Sequence, residues 1–476
     1  MKSNATAPAV LPAETALGTV GFSNNRDPRG PADKSARDVS VDVIRSFCLL
    51  VVVALHALMV GVSIGPQGPV FENALDGNPW FASLSWAVQV MPLFFIAGGF
   101  SSISQWRRIQ LRGGTAGDYI RLRVVRLLVP AVVLVASVGV GLVVLTLAGV
   151  PSGIVETAGY RISQPLWFLA VYLGCSALVP LLALAHGKAR LSTLLGLGLA
   201  IAAVDAGRLS LELPALGYAN LAFVWLFIQQ LGFWLADGSV GRLSAAVRKW
   251  TSGLALMLMM YLFASGWYSG DMFSNLNPPT GALALLAVAQ LMLLSLAQRR
   301  IRVWAEKSSA MSFVALVGSK AMTIYLWHMP VMVSIAGLLL VIQMHLPAPG
   351  SAEWWLSRPL WLVAVACALL PVVRWLGRLE RVNASSRASF THPRTVLSAV
   401  SGVEGVVVLL VDGITPSTAI ISVVLFLCAL WGHLDLQRPQ MTRPGGTNTE
   451  QGGRGVAGWF KKLFQSAPIH PVPPSE

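Results

Sequence analysis

Ten stretches of about twenty mostly apolar residues follow one another along this chain. A helix of that length crosses the hydrocarbon core of a bilayer, where a lone segment can satisfy its backbone hydrogen bonds only as a helix. Only 12% of the residues are charged, against about 25% in an average soluble domain. We therefore predict an all-α, polytopic membrane helical bundle with ten core transmembrane helices. The predicted spans are 41–64, 80–104, 124–149, 164–184, 191–206, 216–236, 249–268, 280–297, 318–342 and 355–377.

A further apolar region, 396–434, is long enough for one or two more helices, although Glu404 and Asp412 weaken the first of them. The two ends of the chain are polar and rich in Pro, Gly, Ser and Thr, which is typical of disordered tails. The predicted organisation is a cytoplasmic tail 1–40, a membrane domain 41–380, a cytoplasmic linker 381–395, the extra region 396–434 and a cytoplasmic tail 435–476.

Basic residues are distributed unevenly among the loops. Of the 35 lysines and arginines, all but Arg161, Arg208 and Arg358 fall in alternate loops or in the tails. Short loops rich in Lys and Arg remain in the cytoplasm. The pattern predicts a multi-pass protein of the cell (plasma) membrane with a cytoplasmic N-terminus. It leaves no single basic face for nucleic acid.

The first predicted span carries an arginine and a histidine on one face. Arg45 and His56 are eleven residues apart, which in a helix is about three turns plus 20°, with roughly 16 Å along the axis. Asp42 lies one turn before Arg45, within about 40° of the same stripe. We predict that Asp42 orients Arg45 through an ion pair. His56 is expected near the membrane midplane, slightly towards the outside.

An ionisable side chain at that depth is costly and usually faces an internal cavity. His56 is therefore a candidate general base, because the pKa of imidazole lies near neutrality. The alternative is a neutral histidine that hydrogen-bonds a neighbouring helix. His328 falls about 15 Å into the ninth span, at a similar depth, with Tyr325 one turn earlier and Lys320 near the start. Two histidines at one depth predict a shared polar cavity, in which His328 is either catalytic or a lining residue.

Arg123 and Arg126 lie one turn apart at the start of the third span. Adjacent guanidinium groups suit phosphate oxygens, because each presents a fork of donors. The alternative is ordinary anchoring at the cytoplasmic boundary, which explains any single arginine here. We predict that this pair binds phosphate.

Other signals are weaker. Asn275 and Asn277 lie at the outer mouth of the eighth span, where their amides either bind a hydroxylated acceptor or make a turn. The four cysteines lie in apolar runs and are expected to behave as small core residues. No His and Cys spacing is typical of a metal site, and no phosphate-binding Gly-rich loop or nucleophile elbow is present.

Several of these motifs, taken in order, resemble those of the acyltransferase family 3 membrane proteins. They are Arg45-x10-His56, Pro92 to Phe100, Arg123-x-x-Arg126 before Pro130, Pro165-Leu-Trp-Phe-Leu169 and Tyr325-Leu-Trp-His-Met-Pro330. The resemblance runs from about residue 40 to 380. It implies about ten helices, an acyl-CoA donor used from the cytoplasm, and an acceptor hydroxyl commonly presented at the other face. The region after residue 395 departs from the minimal ten-span pattern.

The resemblance and the residues together predict an integral membrane O-acyltransferase. It would move an acyl group, acetyl in the first place, from acyl-CoA to a glycan, a lipid-linked sugar or a metabolite, with no tightly bound cofactor and no metal. The expected roles are catalysis by His56, Arg45, Asp42 and His328, CoA binding by Arg123, Arg126 and Lys320, and acceptor binding by Tyr325, Asn275, Asn277 and Trp167. The alternative is a multi-span transporter or permease for an envelope precursor or a small solute. Against that alternative, no later span repeats the Arg-x10-His pattern.

Overall fold

A computed structural model describes residues 38–65, 68–306, 308–381 and 392–431. The predicted tail 435–476 and almost all of the predicted tail 1–40 lie outside these residues, as does most of the linker 381–395. Within the described residues, the chain is mainly helical, with one short hairpin and connecting loops.

The helices are α1 (Val39–Met59), α2 (Pro79–Val88), α3 (Met91–Leu111), α4 (Ala116–Leu147), α5 (Ser152–Ser163), α6 (Trp167–Ala177), α7 (Val179–Ser210), α8 (Asn220–Ala236), α9 (Ser239–Arg242), α10 (Ala245–Ala264), α11 (Gly281–Ala305), α12 (Ser308–Ser319), α13 (Ala321–Val341), α14 (Ala352–Leu376), α15 (His392–Asp412) and α16 (Pro416–Leu430). The strands are β1 (Val60–Gly65) and β2 (Gly68–Asn73). Short 3-10 turns cover Gln164–Leu166, Pro214–Ala219 and Leu379–Arg381.

Nine helices of the described residues are long and apolar enough to cross a membrane, which confirms an all-α polytopic membrane protein. The ten predicted core spans do not each correspond to one of these nine helices. The predicted span 191–206 is the second half of α7, which continues through a bend at Ala189 (φ −153°, ψ 61°). The predicted span 249–268 corresponds to α10, whose first turns carry Arg248 and Lys249 and which is not among the nine.

The first helix ends earlier than the apolar run predicts. It stops at Met59 instead of Ile64, because the following residues pair as β1 with β2, Val60 opposite Asn73 and Val62 opposite Phe71. Alternating β-branched residues and glycines favour the extended chain over the helix here. The consequence is that His56 lies in the last turn of α1, nearer to the end of this helix than a span to residue 64 would place it.

The extra C-terminal helices are part of the same bundle. Helix α15 packs on α6 and α4, and α16 packs on α4. Small residues allow these close approaches: a Cβ at Gly139 would meet Ala419 at 2.8 Å, and one at Gly402 would meet Leu173 at 2.8 Å. Small residues are typical of helix contacts in membranes. Both helices therefore support the face of α4 and α6 behind the site described below.

A buried carboxylate joins four segments at the ends of α7, α8, α10 and α11. Asp205 is 1% exposed and accepts hydrogen bonds from Asn220 Nδ2 (2.9 Å), the Tyr268 hydroxyl (2.7 Å) and the Gly281 backbone N–H (2.8 Å). Burial and the bond to Asp205 raise the pKa of the Tyr268 phenol above its usual range. Asp205, which lies one residue before the end of the predicted span 191–206, is therefore a structural junction.

Replacing Asp205 with alanine is expected to destabilise the protein by about 3 kcal/mol, because one fully buried donor and two partly buried donors lose their acceptor. Thermal unfolding in detergent measures the loss. The matched control is Asp412→Ala, because Asp412 is exposed at the end of α15. Equal melting temperatures for the two variants would contradict the structural role.

Candidate active site

One cavity opens between α1, the α2–α3 junction, α4, α6, α13 and the loop after α10. Its volume is about 130 Å³. Its wall is mainly apolar, and its charged or imidazole-bearing lining residues are Arg45, His56, Arg123 and Arg126. Six of the predicted site residues line it, namely Arg45, His56, Arg123, Arg126, Trp167 and Tyr325.

The two histidines meet directly although they are 272 residues apart in sequence. His56 Nδ1 lies 2.9 Å from His328 Nε2, and the two rings are nearly parallel, with centroids 5.0 Å apart. His328 is 1% exposed and does not line the cavity, so it lies behind His56. The two rings are therefore in contact, but the predicted shared cavity is lined by His56 alone.

The hydrogen bonds set the tautomers of the pair. His328 Nδ1 donates to the carbonyl oxygen of Tyr325, which can only accept. With both rings neutral, His328 Nε2 then has a lone pair and accepts the proton of His56 Nδ1. His56 Nε2 is left with a lone pair, and none of the hydrogen bonds among the described residues uses it. This is the state that a general base requires.

Neighbouring side chains hold the helices that carry this pair. The Tyr325 hydroxyl donates to the Pro165 carbonyl oxygen (2.7 Å), which fixes α13 against the turn before α6. Trp361 Nε1 donates to the Ala57 carbonyl oxygen (3.0 Å) in the last turn of α1. Because its hydroxyl is already bonded, Tyr325 presents the cavity with its ring.

The arginines form a cationic wall at one part of the cavity. Arg123 is 7% exposed and donates to the Tyr119 hydroxyl (3.1 Å) and to Ser102 Oγ (3.1 Å). Arg45 lies over the Phe94 ring at 6.0 Å, and its buried Nε has no hydrogen-bond partner in the described part of the chain. Arg126 is exposed and lines the cavity. No ion pair among the described residues links these three guanidinium groups to a carboxylate.

Two charged residues near this wall are engaged elsewhere. Lys320 Nζ donates to the Gly377 carbonyl oxygen (2.7 Å) and is not a lining residue. The Glu380 carboxylate accepts from the Thr323 backbone N–H (2.8 Å) at the first turn of α13. Both bonds join the start of α13 to the end of α14. These contacts favour a structural role for Lys320.

The structure places three other predicted site residues away from the cavity wall. The ion pairs of the described residues do not include one between Asp42 and Arg45; the Arg45 guanidinium instead lies over Phe94. Asn275 is 2% exposed; its Nδ2 donates to the carbonyl oxygens of Ser269 and Asp271, and its Oδ1 accepts from the Thr280 hydroxyl. These contacts within its own loop favour the turn over a role in acceptor binding. Asn277 is exposed outside the cavity lining.

Sequence reasoning missed two polar lining residues, Gln89 and Tyr172. Gln89 is a polar residue in the middle of an apolar span, and that pattern was a usable signal. Tyr172 carried no comparable signal, because tyrosine is common in apolar helices. Among the cysteines, Cys48 and Cys175 are buried as predicted, whereas Cys367 and Cys428 are exposed on their helices. In the part of the chain that the structure describes, no three His, Cys, Asp or Glu side chains converge as metal ligands.

Comparisons with known proteins give one match. A family model described as an acyltransferase domain matches residues 38–377, a stretch that includes every lining residue of the cavity and ends before α15. No curated protein and no solved structure matches the chain.

Proposed function

This chain belongs to the acyltransferase family whose model covers residues 38–377, and we propose that it transfers an acyl group, acetyl in the first place, from cytoplasmic acyl-CoA to a hydroxyl. The acceptor is a glycan, a lipid-linked sugar or another envelope or secreted molecule. The single observation that carries the proposal is that one cavity holds both three arginines that make no ion pair among the described residues and an imidazole nitrogen with an open lone pair.

The arginine wall suits the phosphates of CoA. Three guanidinium groups around one mainly apolar cavity repel one another, and no carboxylate of the described residues pairs with them. An anion with several oxygens removes that repulsion and accepts their hydrogen bonds. Arg126 is the exposed member of the set and the principal phosphate contact, whereas Arg123 is already bonded to Tyr119 and Ser102.

The reaction follows from the open nitrogen of His56. The acceptor oxygen attacks the thioester carbonyl carbon while His56 Nε2 takes the hydroxyl proton. The electron pair of the C=O bond moves to the carbonyl oxygen. When this pair returns, the C–S bond breaks and the CoA thiolate leaves with the proton that His56 Nε2 gives back. His328 keeps the His56 Nδ1 proton in place and spreads the charge of the transient imidazolium.

The cavity favours direct transfer over an acyl-enzyme. No Ser, Thr, Cys or Lys is among its lining residues in the described chain. These are common side-chain nucleophiles of covalent acyl transfer. The hydroxyl of Tyr325 is bonded to a carbonyl oxygen, which leaves His56 and Tyr172 as the lining residues that could carry an acyl group. We assign His56 the role of base and the attack on the thioester to the acceptor hydroxyl itself.

The membrane arrangement belongs to the same proposal. The N-terminus of α1 is cytoplasmic in the cell membrane, the core has ten spans once α6 and α10 are counted, and α15 and α16 make up the further C-terminal region. The arginine wall then faces the cytoplasmic supply of acyl-CoA. His56, in the last turn of α1, lies towards the outer side, where the acceptor arrives.

Labelled acetyl-CoA and purified protein test the function. Release of free CoA, by transfer or slow hydrolysis, is the expected result, and comparing the masses of envelope glycans and secreted products with and without the gene identifies the acceptor. Proton-coupled solute uptake without CoA release would instead support the transporter interpretation.

Replacing His328 with phenylalanine is expected to lower kcat about 10- to 100-fold, because the His56 Nδ1 proton loses its acceptor and the second tautomer becomes populated. His328 acts through His56, so the pH profile of kcat is the informative measurement, with an expected change in its acidic limb, where the base becomes protonated. A purely structural role would lower stability and leave that profile unmoved. Tyr325→Phe is the comparison variant for loss of a buried hydrogen bond next to this ring.

A further inference from the structure

The second membrane-spanning segment, Pro79–Leu111, is interrupted inside its length. Helix α2 ends at Val88, Gln89 is non-helical (φ −73°, ψ 84°), and α3 begins at Met91. Gln89, Val90 and Met91 all line the cavity that holds His56. The N-terminus of a 21-residue helix therefore lies at the cavity wall, and the dipole of such a helix puts partial positive charge there.

The Gln89 side chain has a defined orientation. Its Oε1 accepts from the Met91 backbone N–H (3.3 Å), so the amide cannot be flipped without facing two donors towards each other. Its backbone carbonyl oxygen accepts from Gln290 Nε2 (2.9 Å). The residue is thus held by its own helix start and by α11, and its amide nitrogen is directed away from Met91.

The amide nitrogen of Gln89 is the unusual atom. Gln89 is 1% exposed, and Nε2 has no hydrogen-bond partner in the described part of the chain. A buried unpaired donor costs about 1–3 kcal/mol. Buried donors without a partner are commonly found at sites where a ligand supplies the missing acceptor.

Acyl transfer creates such an acceptor. Attack of the hydroxyl on the thioester moves the C=O electron pair onto the carbonyl oxygen, which becomes an anion until the C–S bond breaks and the pair returns. We propose, on the basis of the acyl transfer proposed above, that Gln89 Nε2 is the oxyanion donor of this reaction, in the positive field of the N-terminus of α3. Gln89 is then a catalytic residue, since its amide nitrogen donates to the reacting carbonyl oxygen.

Two variants of Gln89 test the assignment. Gln89→Glu retains an acceptor for the Met91 N–H and removes the donor, and Gln89→Met removes both amide atoms at similar volume. Both are expected to lower kcat about 100-fold or more, the loss that follows removal of one oxyanion donor. The affinity for a non-reactive thioether analogue of acetyl-CoA is expected to change less than about threefold, since that ligand forms no oxyanion.

The control is Gln229→Met. Gln229 is also a buried glutamine with one unpaired amide atom, but its Nε2 joins α8 to the Cys175 carbonyl oxygen and it does not line the cavity. The kcat of acyl transfer by Gln229→Met should remain close to that of the wild type. Size-exclusion profiles and melting temperatures show which variants are folded.

The outcomes separate this inference from the function on which it rests. If the wild type releases no CoA from any acyl-CoA, the proposed function fails. If the wild type releases CoA and both folded Gln89 variants have its kcat, the oxyanion site alone is refuted. If the Gln89 variants raise only the KM for the acceptor, the oxyanion site is also refuted, because that result assigns Gln89 to binding of the acceptor hydroxyl.

Discussion

Alanine at position 56 will lower the rate of acyl transfer about 10²- to 10⁴-fold, the range expected for loss of a general base. His56 Nε2 is the open imidazole nitrogen on the cavity wall, and the contact between His56 Nδ1 and His328 Nε2 orients it. Without it, the attacking hydroxyl must lose its proton to water, which is a weaker base. Single-turnover release of CoA from labelled acetyl-CoA measures the effect.

The binding of acyl-CoA should be nearly unchanged in the same variant, because the arginine wall is intact. His345→Ala is the matched control, since His345 is an exposed histidine in the loop between α13 and α14. Membrane insertion and melting temperature should match the wild type for both variants. If folded His56→Ala turned over at the wild-type rate, His56 would not be the general base. The rate enhancement would then have to come from proximity and charge stabilisation alone.

The part of the site that lies on one helix could be predicted from the sequence. The spacing of Arg45 and His56 fixes their shared face through helix geometry alone, and both residues line the cavity. The Arg123–Arg126 pair is similarly local to α4. Local periodicity determines these placements, so they do not depend on how the helices are arranged in space.

Features that depend on contacts between distant segments could not be predicted in the same way. The depth of His56 changes because the hairpin ends α1 at Met59, and this ending depends on pairing of β1 with β2. The engagement of Lys320 with Gly377, 57 residues away, removes it from the predicted phosphate site. The contact between His56 and His328 depends on how α1 and α13 pack. Equal depth in two spans predicted a shared cavity without specifying that one ring lies behind the other.

The exposure of Arg126 and the burial of Arg123 predict different results for two residues of one motif. Arg126→Gln is expected to weaken CoA binding about 10- to 100-fold, because a charge-assisted hydrogen bond to phosphate is worth about 1.5–3 kcal/mol. Its melting temperature should stay near that of the wild type, since no hydrogen bond or ion pair between described residues uses its guanidinium. Arg123→Gln should weaken binding and lower the melting temperature as well, because its bonds to Tyr119 and Ser102 are lost.

Equilibrium binding of CoA at several salt concentrations measures this difference. Loss of a phosphate contact reduces the dependence of affinity on salt, because screening acts on fewer ionic interactions. Arg107→Gln is the control, because Arg107 is an exposed arginine near the end of α3 that does not line the cavity. An unchanged affinity and an unchanged salt dependence in Arg126→Gln would place the phosphates elsewhere. The exposed guanidinium would then be an anchor at the membrane boundary, which is the interpretation that the sequence left open for each arginine of this motif.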